Sequence, residues 1–283
     1  MRWILPFAPK VPQCSPMVFW EGSCPYLENR NTLTAGSSVR LLGQDDYQEL
    51  MDIGMRRTGH VVYRPICMDC RQCHPLRINT NHFKLSRSQR KIWAKYKDFF
   101  EVTATRPIAD DEHVALYNRY QKEWHRSDET VLDLPGYQEA FVFAPVETLE
   151  LSWRNPQGQL VGVGILDVLP KGYSSVYFYW DPDYADYHLG TLSVLQEIEL
   201  TRQSGNPMYY IGFYIQQSPK MAYKIQFSGA EIWDGAHWKP LHTRRNEDPQ
   251  LPEILKQAEE GAMVADRDNF PFHRAVKVFS QSG

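Results

Sequence analysis

Hydrophobic and polar positions are most legible as a pattern over residues 173–224. An aromatic run at 173–180 reads as a strand and stops at Asp181-Pro182, because proline cannot donate to a ladder and pushes the residue before it toward an extended conformation. After a short polar loop, Leu189-Gly190-Thr191 opens a segment in which Leu192, Leu195 and Ile198 recur at helical spacing, with Glu and Gln between them. Gly205-Asn206-Pro207 ends that helix, and a second aromatic run at 208–215 reads as another strand. Strand, loop, helix and strand make a βαβ-like unit, with a functional loop expected where the first strand ends.

Upstream, Asp110 can cap a helix carrying Val114, Tyr117, Tyr120 and Trp124, and residues 125–136 form a polar loop. Residues 149–153 and 160–169, joined by Asn155-Pro156-Gln157-Gly158, are predicted to pair as a hairpin before Lys171-Gly172 turns into 173–180. Helix, strand, strand, strand, helix, strand is the order of an acyltransferase core of the N-acetyltransferase type, an α/β (α+β) fold with a mixed central sheet; many α/β folds share it. Residues 1–45 are predicted to be loop-like, 45–55 a short helix ending at Gly54, and 59–65 a strand. The expected domains are a Cys-containing N-terminal region at 1–105, a catalytic core at 106–245 and a tail at 246–283 with one helix at 252–260. No internal repeat is visible.

Composition narrows the class. A chain of 283 residues with 42% hydrophobic and 23% charged positions can bury a sizeable core. Its formal net charge of −3 means that any anionic partner must meet a local basic patch and not a global field. No run approaches the ~18 apolar residues of a membrane helix. The opening residues, broken by proline, do not read as a signal peptide, and five cysteines with three in one cluster do not read as a secreted disulfide framework. A cytoplasmic protein is expected.

The sharpest local signal is Cys67-x2-Cys70-x2-Cys73, since thiolates two residues apart in a turn can point at one ion. One ligand is missing; Cys24 is the first choice, Cys14 or His74 the second. Zinc or an iron–sulfur cluster suits the spacing, with folding as its direct role, and three packed thiols that bind nothing are the alternative. Residues 84–97 hold six Lys or Arg and no acid. As a helix they place Ile92, Tyr96 and Phe99 on an apolar stripe and Lys84, Arg87, Lys91 and Lys95 on another face, which suits a phosphate backbone or simply solvent.

Seven motifs carry a resemblance. They are Cys24-Pro25-Tyr26-Leu27; Tyr63-Arg64-Pro65 leading through the three cysteines to Pro75 and Arg77; 86–90; Asp181-Pro182; Leu189-Gly190-Thr191; 210–215; and Lys220-Met221-x-Tyr223-Lys224. In this order, from Cys24 to Trp238, the chain resembles the arginyl-tRNA–protein transferase family and, within it, the bacterial aspartate/glutamate leucyltransferases. The resemblance implies transfer of an amino acid, Leu or Arg, from aminoacyl-tRNA to the N-terminal amine of a protein that begins with an acidic residue, marking it for degradation. Some family members carry an iron–sulfur cluster on N-terminal cysteines. Trp180 stands where the family usually has Phe, and Phe213-Tyr214 where Tyr-Trp is common.

The implied reaction needs no covalent nucleophile and no cofactor for catalysis: an α-amine attacks an activated ester, and positioning supplies most of the acceleration. Asp181, at a strand end, is the natural group to hold or deprotonate the amine, with a bare turn as its alternative. Arg64 and Arg77 flank the cysteines and suit an acidic side chain, or surface salt bridges. Lys220 and Lys224 suit the terminal phosphates of tRNA or the ester oxygen, and Tyr179 and Tyr214 the terminal adenine or the aminoacyl pocket, though aromatics there are commonly core. Lys84, Arg87, Arg90, Lys91 and Lys95 are expected on the tRNA. Gly190 and Gly212 allow close backbone approach, and His113, His125 and His188 receive no role. The rival readings are a coenzyme A-dependent N-acyltransferase, whose Gly-rich donor loop is absent around His188, and a non-catalytic metal-stabilised RNA-binding protein.

Overall fold

The computed structural model describes residues 18–127, 130–241 and 251–259. Strands β1 (Val18–Ser23), β2 (Asn31–Ser38), β3 (Arg56–Thr58) and β4 (Val61–Pro65) form an antiparallel sheet in the order β1-β2-β4-β3, and α1 (Gln44–Asp52) precedes β3. The chain continues through β5 (His74–Asn79), α2 (Arg87–Tyr96), β6 (Glu101–Thr105), α3 (Asp111–Tyr120) and α4 (Leu134–Tyr137). Then come β7 (Thr148–Arg154), β8 (Leu160–Leu169), β9 (Gly172–Trp180), α5 (Leu189–Gln203), β10 (Met208–Tyr214), α6 (Pro219–Ala222), β11 (Ala230–Trp233) and β12 (Trp238–Pro240). The described strands of this second sheet lie in the order β12-β11-β5-β10-β9-β8-β7-β6. Within it β9 and β10 run parallel, and the other neighbours are antiparallel. The large sheet is mixed, as expected.

Two expectations need correction. Residues 18–23 and 31–38 are strand and not loop, because β2 pairs on both edges, with β1 and with β4. The boundary at 105 does not separate two sheets either: β5 and β6 both precede it and both belong to the large sheet, β5 between β10 and β11. Such long-range pairings leave no trace in local periodicity.

Each layer has its own apolar contacts. Leu192, Leu195 and Ile198 of α5 bury against Tyr209, Ile211 and Phe227, joined by Leu251 and Leu255 of the helical residues 251–259. On other strand faces, Leu116, Tyr117 and Tyr120 of α3 pack with Tyr137 and Phe141 over Val163, Ile165 and Tyr179. Tyr47, Leu50 and Met51 of α1 lie between Val62 of the small sheet and Leu169 and Tyr210 of the large one.

The feature that positions the site is the way β9 and β10 part. They pair only at Met208–Gly172, Tyr209–Tyr173 and Tyr210–Ser174. Beyond that point β10 bulges between Tyr210 and Gly212, and β9 bulges against β8 between Ser175 and Tyr177. Bulges bend a strand and raise its twist, so the carboxyl ends of β9 and β10 diverge. Their common start depends on Gly172, where a Cβ would stand 1.6 Å from the Met208 carbonyl oxygen.

Candidate active site

Three polar side chains from different elements meet where the strands part. Arg56, buried at the start of β3, donates from Nη1 to Ser174 Oγ at 3.0 Å and to the Tyr210 carbonyl at 3.4 Å, and from Nη2 to the Ser175 carbonyl. Lys224, in the turn Tyr223–Gln226 after α6, lays its Nζ against the bulge: a Cβ on Gly212 would stand 3.1 Å from Nζ and 3.8 Å from Arg56 Nη2. Gly212 also has φ +109°, so here, and not at Gly190, glycine is required. A Cβ at Gly190 would make only ordinary contact with Trp180, at 3.8 Å. Glu197 is buried on α5 and accepts a hydrogen bond from the Tyr209 hydroxyl.

The electrostatics of this cluster are unusual. Burial, and then the Arg56 guanidinium, push the Lys224 amine down to about 7, against the pull of the Glu197 carboxylate. Burial pushes the Glu197 carboxyl up to about 7, against hydrogen bonds from Tyr209 and Ser175 and the neighbouring Lys224. Among the described residues Lys224 Nζ has no hydrogen-bond or ion-pair partner. An amine that titrates near neutrality beside a permanent cation is an arrangement for moving a proton next to developing negative charge.

An aromatic rim borders the cluster. Trp180 closes β9, stacks on Phe178 at 5.6 Å and packs on Tyr120 at 4.5 Å and Trp124 at 5.2 Å. Lys220 donates to His125 Nδ1 at 3.2 Å; burial, and then Lys220, push that imidazole's pKa down, so it stays neutral and accepts. Tyr120 lies against the same ring at 4.9 Å.

The expected site residues divide sharply. Lys220 and Lys224 come together at this end of the sheet. Asp181 is already engaged: it caps the helical turn Pro182–Tyr187 by accepting from the Asp183 amide at 3.0 Å, and it accepts from Arg119 at 2.6 Å. Arg119 also holds Asp183 at 2.9 Å and Glu123 at 3.0 Å, so Asp181 clamps the end of β9 to α3. Tyr179 and Tyr214 are core and not pocket wall; both are wholly buried, and the Tyr179 hydroxyl meets that of Tyr137 at 2.6 Å. Arg77 is committed as well, paired with Glu231 at 2.7 Å and Asp52 at 3.5 Å and lying over Trp238 at 4.3 Å.

The cysteines fare differently. Cys24, Cys67, Cys70 and Cys73 are all free thiols lining one cavity of about 380 Å³, shared with Tyr26, Tyr63 and Arg64. Cys24, from the β1–β2 connection, is therefore brought to the other three; Cys14 lies outside the described residues. Among the described residues no three His, Cys, Asp or Glu side chains are grouped to hold a single ion. Burial, and then the neighbouring sulfurs, push the Cys73 thiol up. His74 lines the same cavity with its Nε2 buried and unpartnered, and burial pushes its pKa down to about 4.

Helix α2 begins in a reciprocal cap between Ser86 and Gln89 and packs Ile92, Trp93 and Tyr96 on the core; Phe99 stays at the surface, 36% exposed. Lys84, Arg87, Arg90, Lys91 and Lys95 are all exposed. Among the described residues none of them has an acidic partner, and Lys95 lies over the Tyr96 ring at 4.7 Å.

Three residues of the site escape sequence reasoning: Arg56, Arg119 and Glu197. The last had a signal, since Val194, Glu197, Ile198 and Thr201 follow i, i+3, i+4, i+7 spacing and all are buried. Arg56 lies in a three-residue strand with no local pattern.

The family model for the N terminus of arginine-tRNA-protein transferase matches residues 22–91, and that for its C terminus residues 112–234. The aspartate/glutamate leucyltransferase of Ruegeria sp. (strain TM1040) is 34% identical over 245 residues, covering 85% of this chain and 87% of that one. That of Ruegeria pomeroyi is 32% identical over 283 residues, covering 96% and 99%. Among solved structures, L-PGS from Bacillus licheniformis matches with a TM-score of 0.39 at 11% identity, over 62% of this chain and 52% of that one. With both halves matched in order and relatives aligned over nearly their full length, the chain belongs to the arginine-tRNA–protein transferase family and is an aminoacyltransferase.

Proposed function

We propose that this enzyme moves leucine from its tRNA ester to the N-terminal amine of proteins that begin with Asp or Glu, in the cytoplasm where charged tRNA is found, and so marks them for degradation. The observation that carries the reading is the gap between β9 and β10, where Arg56, Lys224 and Glu197 converge. The leucyltransferase names of the relatives support leucine as the donated residue. So does the rim, where Trp180 and Trp124 offer apolar surface while Asp181, Asp183 and Glu123 are already tied to Arg119.

The carbonyl carbon of the ester sits in the gap, and the α-amine attacks it as the ribose oxygen leaves. Orientation of two such reactants is worth on the order of 7–11 kcal/mol. The acceptor arm of the tRNA runs along the exposed cations of α2, a helix that packs against α5, which supplies Glu197. Arg64, lining the cysteine cavity, receives the acidic side chain of the protein substrate. The four thiols that line one cavity would be the ligands of a zinc ion or an iron–sulfur cluster. Such a group would supply a cross-link between Cys24 and the 67–73 loop, beside Arg64.

The test is transfer of label. Protein is incubated with leucyl-tRNA, arginyl-tRNA or acetyl coenzyme A and a peptide starting with Asp or Glu. Leucine label on the peptide supports this reading, and its loss when the peptide is N-acetylated locates the bond. Label from acetyl coenzyme A, or from no donor, sinks it.

A further inference from the structure

Aminolysis consumes a free amine, whereas an α-amine of ordinary basicity, pKa about 7.7–8.0, is mostly ammonium at neutral pH. A group at the gap must therefore accept a proton before the carbon–nitrogen bond can form. Arg56 cannot, because a guanidinium does not deprotonate in proteins. Asp181 is held by Arg119 and by the Asp183 amide, and His125 accepts from Lys220. Glu197 lies behind the gap, wholly buried, with the Tyr209 hydroxyl on its carboxylate. Lys224 differs from all of these: its Nζ lies against the bulge of β10 at Gly212, and among the described residues it has no hydrogen-bond or ion-pair partner.

Resting on the function given above, we propose that Lys224 is a catalytic residue whose neutral amine takes the proton of the incoming α-ammonium and, once charged, passes it to the departing ribose oxygen. The step balances. The carbon–nitrogen bond forms and the ester carbon–oxygen bond breaks. The ammonium loses two protons in becoming an amide, one to the ribose oxygen through Lys224 and one to water.

The surroundings keep that amine poised. Arg56 from β3 opposes a second positive charge beside it, burial does the same, and Glu197 from α5 opposes both, which leaves the amine at about 7. The remaining titratable neighbours are phenols: Tyr209 of β10 and Tyr223 of the same turn face Glu197, and both are pushed up, chiefly by burial, so they stay neutral. Gly212 is the positioning residue, since any side chain there would displace Nζ.

The experiment compares wild type, Lys224→Ala and Lys224→Arg in single-turnover transfer of leucine from tRNA to an Asp-initiated peptide across pH 6–9. General base catalysis contributes about 10²–10⁴-fold, so both variants should lose at least ~100-fold at pH 7 while retaining tRNA affinity. Wild-type rates should level off above the lysine's value, whereas variant rates should keep climbing through the peptide amine's own pKa. Trimethylamine, a base that cannot itself be acylated, should restore rate to Lys224→Ala and not to Lys224→Arg. A structural role for Lys224 would give no rescue and an unchanged pH profile, and either result overturns the proposal, as does wild-type rate in Lys224→Arg. Wild-type protein that moves nothing from tRNA overturns the reading of the function itself.

Discussion

Arg57 grips Asp167 with two parallel bonds, Nε to Oδ2 at 2.8 Å and Nη2 to Oδ1 at 2.6 Å, with both side chains sealed from solvent. The pair joins β3 of the small sheet to β8 of the large one, and Tyr47 and Thr148 complete the carboxylate at 2.7 Å and 2.9 Å. The residue before it, Arg56, points the other way along the strand, into the gap between β9 and β10. The ion pair therefore sets where the site's permanent cation stands. Asp167→Ala leaves a guanidinium buried without its partner, and such a change costs about 3–5 kcal/mol. Urea unfolding should show that destabilisation, with the transfer rate falling in protein that remains folded; a variant as stable as wild type would mean that the ion pair adds nothing to the union of the two sheets.

A second buried network predicts a pH dependence of stability. His113, on α3, is wholly buried, with Nδ1 2.7 Å from Asp110 and Nε2 3.0 Å from Glu150. Burial disfavours the charged ring, but the bonds to Glu150 and Asp110 outweigh it and raise its pKa. The folded value thus stands above that of the unfolded chain, near ~6.5, so the stabilisation is complete below that pH and is lost as pH rises through the folded value. The Tm difference between wild type and His113→Asn should accordingly shrink between pH 6 and 9. A constant difference would mean that the ring folds neutral.

Gly212→Ala tests the bulge. Its methyl would stand 3.1 Å from Lys224 Nζ on a backbone at φ +109°, a conformation costing a non-glycine residue about 1–3 kcal/mol. The expected result is a fall in kcat with little change in KM for charged tRNA, because α2 is untouched. A rise in KM alone would place tRNA, and not the reacting amine, against Gly212.

The basic face of α2 makes the fourth prediction. Arg87→Glu with Lys91→Glu should weaken tRNA binding and reduce the slope of log affinity against log salt by roughly one for each phosphate that is no longer neutralised. Unfolding midpoints should hardly move, since both side chains are exposed and, among the described residues, unpaired. Unchanged salt dependence would assign that face to solvent.

What the sequence disclosed follows the range of the forces involved. The unit β9–α5–β10 was legible because Pro182, the Gly205-Asn206-Pro207 break and the 192/195/198 stripe act locally. Three cysteines in seven residues announced themselves, and Cys24 lines the same cavity as they do. β5 was not legible, because its partner β10 lies more than 120 residues on and supplies the order that its own six residues lack. Arg56 fails for the same reason, acting on Ser174 and Tyr210 from a different sheet. Tyr179 and Tyr214 show the reverse error: residues at strand ends look available, yet Tyr179 turns onto the layer of α3 and Tyr214 into the cluster of α5.

Asp181 supplies the last prediction, because it separates a clamp from a base. As a base, Asp181→Asn would abolish the pH-dependent part of transfer. As a clamp, the asparagine keeps a side-chain oxygen for the Asp183 amide and caps the turn Pro182–Tyr187 about as well, while the charge facing Arg119 is gone. Arg119 retains Asp183 and Glu123, so the effect is partial, and a part-exposed ion pair of this kind is worth roughly 1 kcal/mol or less. The variant should therefore transfer leucine several-fold more slowly as Trp180 loosens against Tyr120, with the pH profile keeping its wild-type shape. A flattened profile would return the proton to Asp181 and take it from Lys224, so the two variants measured side by side decide which carboxyl end of the parted strands carries the chemistry.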